Sequence, residues 1–372
     1  MKKRVLVSVT NDLFTDQRVK KVCDSLSEMH FDIELIGRML PNSQPLNRSY
    51  KTRRMRLVFN KGPLFYAEYN IRLFFVLLFS KATIFHANDL DTLLANYLAS
   101  RIRNIPLVYD THEYFTGVPE IQNKPIVKMV WKLIEQWIFP KLKYLFTVNN
   151  SIAALYKKDY NKALRVMRNI PKRIHLEHPK TRKELELPEA IDIVITQGAG
   201  INMDRGIEEA LEAMKYLPNV CFLIIGNGDV IDQLKRRTVQ LNLETNVLFK
   251  SRMDYQEMMQ HTRHAALGIT LDKDTNINYK FSLPNKLFDY IHSGTPILAS
   301  KIIEVESIIN TYKIGLFIDN HDPKHIASQI KKALENKSLR EEWDENMKKA
   351  QDELNWSNEE KELRKAYSEI EI

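Results

Sequence analysis

Glycine is scarce in this chain, 11 of 372 residues or about 3%, where globular proteins average about 7%. No glycine-rich low-complexity stretch or internal repeat is visible. Cysteine is scarcer still. Cys23 and Cys221 fall in unrelated helix and strand patterns, which excludes a disulfide framework and reads as two reduced, buried thiols. No apolar run approaches the roughly 20 residues that a membrane span needs. The nearest, LFFVLLF at 73–79 between Arg72 and Lys81, is far too short. The start MKKRVLVSVT is basic but runs straight into a strand and turn, without the apolar core and small-residue cleavage site of a signal peptide, so the expected location is cytoplasmic. His, Cys and carboxylate spacing matches no zinc pattern.

What is present is length and a lopsided charge. With 372 residues, 44% of them hydrophobic, the chain is too long for one ordinary core and suits two domains of roughly 180 residues each. Net charge is +8, yet residues 1–180 carry 30 Lys and Arg against 15 Asp and Glu, leaving 25 against 32 for the rest. A basic first half suits an anionic membrane surface, a negatively charged acceptor or nucleic acid, and equally a solvated surface that serves solubility. Lys51, Arg53, Arg54, Arg56 and Lys61 are its densest cluster.

Short β-branched runs alternate with helix-period segments from end to end. In the first half strands are expected at 4–10, 32–37, 56–59, 83–86, 107–110, 144–148 and 164–167, with helices at 15–29, 91–101, 127–139 and 151–160. A polar stretch, 171–188, breaks the pattern. The alternation then resumes with strands at 191–196, 221–225, 247–249, 266–270, 296–300 and 315–318, and helices at 205–216, 230–241, 255–261 and 285–292. The tail from 323 is helical and heavily charged. This is the signature of an α/β chain with two doubly wound parallel sheets, whose ligand belongs where strand C-termini face a cleft between the domains.

The most informative stretch is SLPNKLFDYIHSGTPILAS at 282–300. Pro284 stands at a helix start and Gly294 at its end. The N–H groups around Leu283, Pro284, Asn285 and Lys286 have no partner inside that helix, and the positive end of its dipole points the same way, so an anion is favoured there. Lys286 adds a full charge, and Asp289, one turn on, is spaced to accept sugar hydroxyls. A ligand carrying a diphosphate and a ribose, a sugar nucleotide, fits that spacing. A second anion grip is expected at GAGINMDRG, 198–206, where Gly198 and Gly200 let backbone approach a ligand and Arg205 offers a forked pair to phosphate oxygens. Gly226, Asn227 and Gly228, with Arg252 and Met253 after another strand, read either as the wall and floor for a flat base or as ordinary turn residues.

In the first half, polar residues also gather at strand ends. Asn11, Asp16 and Arg18 surround the first turn. Asn88 and Asp89 end one strand, and His112 and Glu113 end another, together making a candidate cleft. In Asp89-Leu90-Asp91 the DxD pattern suits a divalent metal in another transferase architecture. Here it opens a helix, where N-capping by Asp89 and dipole pairing by Asp91 account for it, and no metal requirement is expected.

FTDQR at 14–18, HANDLDT at 86–92, YDTHE at 109–113, Arg168-Asn169, Arg205-Gly206, GNG at 226–228 and PNKLFDY at 284–290 together resemble the retaining glycosyltransferases of family 4, with the two-domain GT-B fold. The likeness spans nearly the whole chain. It implies an acceptor-binding domain over 1–172, a linker over 173–190, a nucleotide-sugar domain over 191–356, and a final helix, 357–372, that returns to brace the first domain. It implies that Arg205 and Lys286 hold the diphosphate, that Asp289 holds the ribose and 249–253 the base, and that His112 contacts the donor sugar. Ser282 and Leu283 belong to the same donor grip. Phe281 stands where the family commonly has a donor-sugar Glu, leaving Asn278, Lys280 or Ser282 as replacements. Ala199 replaces a common Arg, which puts more weight on Arg205, and a bulky first turn, 11–14, replaces a frequent glycine pair on the acceptor side.

The implied reaction moves a hexose from a UDP- or GDP-linked donor, with no further cofactor, to a hydroxyl of a glycan or lipid-linked acceptor with retention, in cell-surface polysaccharide synthesis. Same-face attack, with the departing phosphate as base, is likewise what the resemblance implies, and no nucleophilic carboxylate is obviously placed. The rivals are a sugar-nucleotide epimerase or hydrolase on the same fold, and a basic nucleic-acid binder. The basic residues lack the aromatic-studded strand or reading helix the last would need. Docking on the inner membrane face is a further expectation, with 65–79 as either an interfacial helix or one packed on its own sheet.

Overall fold

The computed structural model describes residues 3–14, 16–173, 176 and 178–371. Thr15, in the expected first helix and first-turn motif, lies outside the described residues, as do 174, 175 and 177 of the expected linker and the side chains of 119 and 120. The chain divides into two compact units, Met1–Asn169 with Glu359–Ile372, and Ile170–Asn358.

The first unit is built on strands β1 (Arg4–Asp12), β2 (Asp32–Arg38), β3 (Lys51–Met55), β4 (Ile84–Asn88), β5 (Leu107–Thr111), β6 (Tyr144–Thr147) and β7 (Arg165–Val166). They pair in the order β3-β2-β1-β4-β5-β6-β7, all parallel. Helices α1 (Gln17–Glu28), α2 (Gly62–Leu78), α3 (Leu90–Arg103), the short α4 (Pro119–Gln122), α5 (Pro125–Ile138) and α6 (Asn150–Tyr160) make the crossovers. Right-handed crossovers place α1 on one face and α2, α3, α5 and α6 on the other. β4 and β5 are buried along their whole length, as the centre of a sheet covered on both faces requires.

One expected strand is displaced. Residues 56–59 are not a strand; β3 precedes them, and the backbone N–H groups of Val58 and Phe59 donate to the Glu68 carboxylate at 2.9–3.0 Å. The basic cluster instead decorates β3, the edge strand, where Lys51 and Arg53 each sit 3.1 Å from Glu34. Charge on an edge strand discourages pairing with another chain, a structural reason for part of the cluster.

The second unit repeats the scheme with β8 (Asp192–Gly198), β9 (Val220–Gly226), β10 (Val247–Lys250), β11 (Leu267–Thr270), β12 (Ile297–Ser300) and β13 (Gly315–Ile318), ordered β10-β9-β8-β11-β12-β13. Its helices are α7 (Ile207–Ala213), α8 (Ile231–Gln240), α9 (Tyr255–Thr262), the short α10 (Ile277–Lys280), α11 (Asn285–Ser293), α12 (Ile303–Tyr312), α13 (Pro323–Glu335) and α14 (Lys337–Glu353). Two apolar clusters, one around Phe222 and Leu267 and one around Tyr290 and Ile297, cover its sheet. The helix expected from Arg205 begins only at Ile207, after Gly206 takes a positive φ of 70°. α12 has no counterpart among the sequence expectations.

The last helix, α15 (Trp356–Ser368), belongs to the first unit from Glu359 onward. Glu359 accepts the Arg168 backbone N–H at 2.7 Å and its guanidinium at 2.5 and 2.9 Å, and Ser25 donates to Glu360 at 2.6 Å. Tyr367 is buried, packs edge-on to Phe31, and its hydroxyl lies 2.8 Å from His86 Nδ1 under the sheet centre. Helix propensity alone does not hold a short, highly charged segment, so these tertiary contacts fix it. Tyr367→Ala is expected to cost the first unit about 3–5 kcal/mol, read as a lower urea midpoint. A loss below about 1 kcal/mol would show that α15 is not part of the core.

Candidate active site

In the first unit, a chain of charges runs along the C-terminal edge of the sheet. Asp110, on β5, is fully buried and takes a forked pair from Arg18, Nε at 2.9 Å and Nη2 at 2.7 Å, while Arg18 Nη1 donates to the Met167 carbonyl at 2.6 Å. Burial alone would push the Asp110 carboxyl up, but Arg18 and His112 outweigh it and hold it well below the usual carboxylate range. His112 follows two residues later. Its backbone N–H donates to Asp89 Oδ1 at 2.8 Å, Nδ1 lies 3.1 Å from Asp89 Oδ2, and Nε2 lies 3.6 Å from Asp110. Burial disfavours the imidazolium, yet the two carboxylates more than offset it and raise His112 well above the ordinary range. Both carboxylates thus favour the imidazolium, and Nε2 makes no hydrogen bond among the described residues.

The other expected cleft residues divide by burial. Arg18 is 3% exposed and consumed by Asp110, so it supports the edge and does not face a ligand. Asn88 is buried and donates to the Ser8 carbonyl at 3.0 Å. Asp16 caps α1 by accepting the Val19 N–H at 3.0 Å, and Asn11, exposed, donates to Asp16 at 3.2 Å. Glu113 is half-buried, its carbonyl accepting from Thr111 at 2.8 Å.

The DxD stretch behaves differently from the expectation. Asp89 occupies the cap position of α3 but makes no side-chain cap bond; its carboxylate is committed to His112. It does so with φ 58° and ψ 167°, a backbone region L-residues rarely adopt and one that is found where a site over-determines the chain. Asp91 is buried and accepts the Thr10 hydroxyl; burial, then the neighbouring Asp89, push its carboxyl up to about 7. The two carboxylates thus serve different partners.

In the second unit, α11 is pinned before it is charged. The Tyr290 hydroxyl donates to the Ile195 and Ile269 carbonyls at 3.2 Å, and its ring lies where a Cβ on Gly268 would come within 2.5 Å, so only glycine admits it. Pro284 is the N-cap rather than the first helical residue, and Gly294 closes the helix with φ 73°. At this fixed N-terminus Lys286 is half-buried and makes no hydrogen bond or ion pair among the described residues. Desolvation lowers its pKa, against the pull of Asp272 and with the push of Arg205. An anion arriving here replaces the hydration that Lys286 lost.

Arg205 is brought to the same place. Its Nη1 pairs with Asp272, and its guanidinium lies 4.1 Å over the Tyr279 ring. Asp272, two residues beyond β11 and 2% exposed, is the residue that sequence reasoning missed. It also accepts the Ser282 hydroxyl at 3.4 Å, and its Oδ1 is buried with no hydrogen-bond partner among the described residues. A carboxylate just past a buried strand was the only available signal, and it is a weak one.

Asp289 is buried with both oxygens engaged, Oδ1 accepting from Tyr255 at 2.8 Å and Oδ2 from Gln197 at 3.1 Å. The glycine loops pack on one another. Asn227 N–H donates to the Gly198 carbonyl at 3.3 Å, Ile201 N–H to the Asn227 carbonyl at 3.1 Å, and a Cβ on Gly226, φ 135°, would lie 1.8 Å from Gly198 oxygen. Gly200 faces open space and Gly228 abuts the Ile201 carbonyl. Arg252 is exposed without an ion pair among the described residues, and Met253 packs on the core. Of the replacements for the acid absent at Phe281, Ser282 joins the Asp272 cluster, Lys280 pairs with Asp274 at 3.4 Å, and the Asn278 N–H is held by Asn276. Leu283 packs partly buried on the core, and Asn285 is exposed.

Two family models match in tandem: Glycosyltransferase Family 4 over residues 16–174 and Glycosyl transferases group 1 over residues 177–350. The chain belongs to these glycosyltransferases. Their GT-B fold, two Rossmann-like units, is what the two sheets build. Among solved structures the transferase is similar to the sucrose-phosphate synthase of Thermosynechococcus elongatus, with TM-score 0.80, 14% identity, and 99% and 98% of the two chains covered. It is similar too to a glycosyltransferase from Rickettsia africae, with TM-score 0.76, 14% identity and coverage of 99% and 98%. Anabaena HepE in complex with UDP-glucose matches with TM-score 0.75, 13% identity and coverage of 99% and 100%. No curated protein sequence matches the chain.

Two outcomes test this electrostatic picture. Because Asp91 has a raised folded pKa, its contribution to stability is present at low pH and is lost as pH rises through about 7. Asp91→Asn is therefore expected to flatten the fall in thermal midpoint across that range, and an unchanged slope would refute the assignment. Asp272→Ala removes the compensation of Arg205 and is expected to cost the second unit about 1–3 kcal/mol in urea unfolding. A neutral result would mean that the pair is dispensable.

Proposed function

We propose that this glycosyltransferase moves a hexose from a nucleoside-diphosphate donor to a hydroxyl of a glycan or lipid-linked acceptor with retention of configuration, without a metal, in cell-surface polysaccharide synthesis. The observation that carries the reading is Lys286, unpartnered among the described residues, at the pinned N-terminus of α11, beside Arg205 and one turn ahead of Asp289. The UDP and UDP-glucose complexes of HepE support a uridine-linked donor.

As the glycosidic bond breaks toward an oxocarbenium-like state, negative charge grows on the leaving diphosphate. Lys286, Arg205 and the first-turn N–H groups of α11 stabilise that charge more than the ground state. Two cations there do the work that a metal does elsewhere. Asp289 accepts ribose hydroxyls by exchanging them for its present donors, Tyr255 and Gln197. The departing phosphate then takes the proton of the acceptor hydroxyl as it attacks the same face of the sugar. His112, held cationic by Asp89 and Asp110, contributes a charged donor at Nε2 to the donor sugar.

A thermal-shift screen of UDP-, GDP- and ADP-sugars identifies the donor, since a ligand that binds only the folded state stabilises it by mass action. Arg205→Ala and Lys286→Ala are each expected to abolish most transfer with the fold retained, and near-wild-type turnover of both would sink the phosphate assignment. His112→Ala is expected to lower kcat by about 10² or more. A change confined to acceptor KM would move His112 to a binding role.

A further inference from the structure

α5 is apolar on two sides. Trp131, Glu135 and Ile138 face the first unit's core, as a helix covering a sheet requires. Yet Ile126, Met129, Val130, Leu133 and Trp137, spaced by three and four residues, form a second stripe turned to solvent, with Ile126 73%, Leu133 57% and Trp137 47% exposed. Leu98 and Ile102 extend it from α3, which packs against α5. Scattered exposed apolar residues are ordinary; an aligned stripe of five is not.

Among the described residues of α3 and α5, the exposed charges beside this stripe have one sign. Lys124 and Lys128 lie at its N-terminal end, Arg101 at the α3 edge, and Lys141 holds its ammonium 4.9 Å over the Trp137 ring. The carboxylates of α3 and α5 are elsewhere: Asp91 is buried, and Glu135 is buried against Tyr160 at 2.6 Å and Lys132 at 3.2 Å. Among the described residues of α3 and α5, the outer face therefore offers apolar side chains, an indole and lysines with no exposed acid. A two-fold contact with a second copy would set this positive face against itself. An anionic lipid surface is complementary to it in both respects, taking the apolar stripe and indole at its interface and pairing the lysines with headgroups.

We propose that the outer stripe of α5, widened by the α3 edge, is the surface by which this transferase docks on an anionic bilayer. The inference rests on the proposed lipid-linked acceptor for its purpose, and it moves the docking element from 65–79 to α5. On α2, Phe65, Tyr69, Leu73 and Leu77 are buried against the unit, and its outer residues Leu64, Ile71 and Phe75, with Phe79 at its C-cap, accompany Arg72, which Glu68 neutralises at 2.6 Å.

The chain supplies its own probe. Of its four tryptophans, Trp131, Trp343 and Trp356 are buried and Trp137 alone is exposed. The intact protein is mixed with vesicles of phosphatidylcholine, with or without phosphatidylglycerol. Expected are sedimentation with the anionic vesicles only, loss of it as salt rises, and a blue shift of emission that Trp137→Phe removes while sedimentation persists. Leu133→Ser combined with Ile126→Ser is expected to lower partitioning roughly tenfold or more, with the sugar-nucleotide thermal shift unchanged. Wild-type protein that stays in the supernatant at low salt overturns the proposal, as does equal retention of the double variant. A concentration-dependent dimer that the double variant abolishes would reassign the face to self-association. Should the double variant fail to fold, an unshifted Trp137 spectrum on anionic vesicles is sufficient to reject it. Loss of the nucleotide thermal shift in wild-type protein would instead count against the donor reading and leave docking untouched.

Discussion

A buried carboxylate must be compensated, and both units of this transferase are arranged around that requirement. In the first, Asp110 at the end of a central strand draws in Arg18 and, with Asp89, favours the imidazolium of His112. In the second, Asp272 just past β11 pairs with Arg205 and sits close enough to Lys286 to support its charge. In each case the aspartate is buried and paired with a cation. The result is positive charge positioned by the ends of sheet strands rather than by flexible surface side chains.

The scaffolding behind these pairs is equally specific. Tyr290 locks α11 onto β8 and β11 through the space left by Gly268, so the helix N-terminus cannot drift. α15 returns to the first unit with Glu359 on Arg168 and Tyr367 beneath His86, sealing the sheet face that α1 leaves open. Asp89 tolerates an unusual backbone conformation because its carboxylate and the His112 main chain hold each other. At 226 and 228 glycine is required, because a neighbouring carbonyl occupies the space of a Cβ.

Strand–helix alternation was legible throughout, since strands buried on both faces are short β-branched runs and their crossover helices carry a 3.6-residue period. The exceptions have local causes. The run 56–59 has strand-like composition, but Glu68 from α2 captures its amides before a sheet partner does. Asp89 looks like a helix cap by position, and tertiary contact with His112 takes its side chain instead. Asp272 carries no motif because what makes it significant, the approach of Arg205 across 67 residues, is invisible in linear spacing.

By itself the sequence determined the two-unit α/β architecture, the helix start at Pro284 to Lys286 and the basic excess of the first half, because periodicity, capping chemistry and composition act locally or sum over the chain. Only the tertiary structure decided which charges are available. Arg18 is buried and spent while Lys286 has no hydrogen-bond or ion-pair partner among the described residues, and one face of α5 is covered while the other is bare. Those distinctions depend on what each side chain meets across the fold, and solvation at a site is set by all of its neighbours at once rather than by those adjacent in the chain.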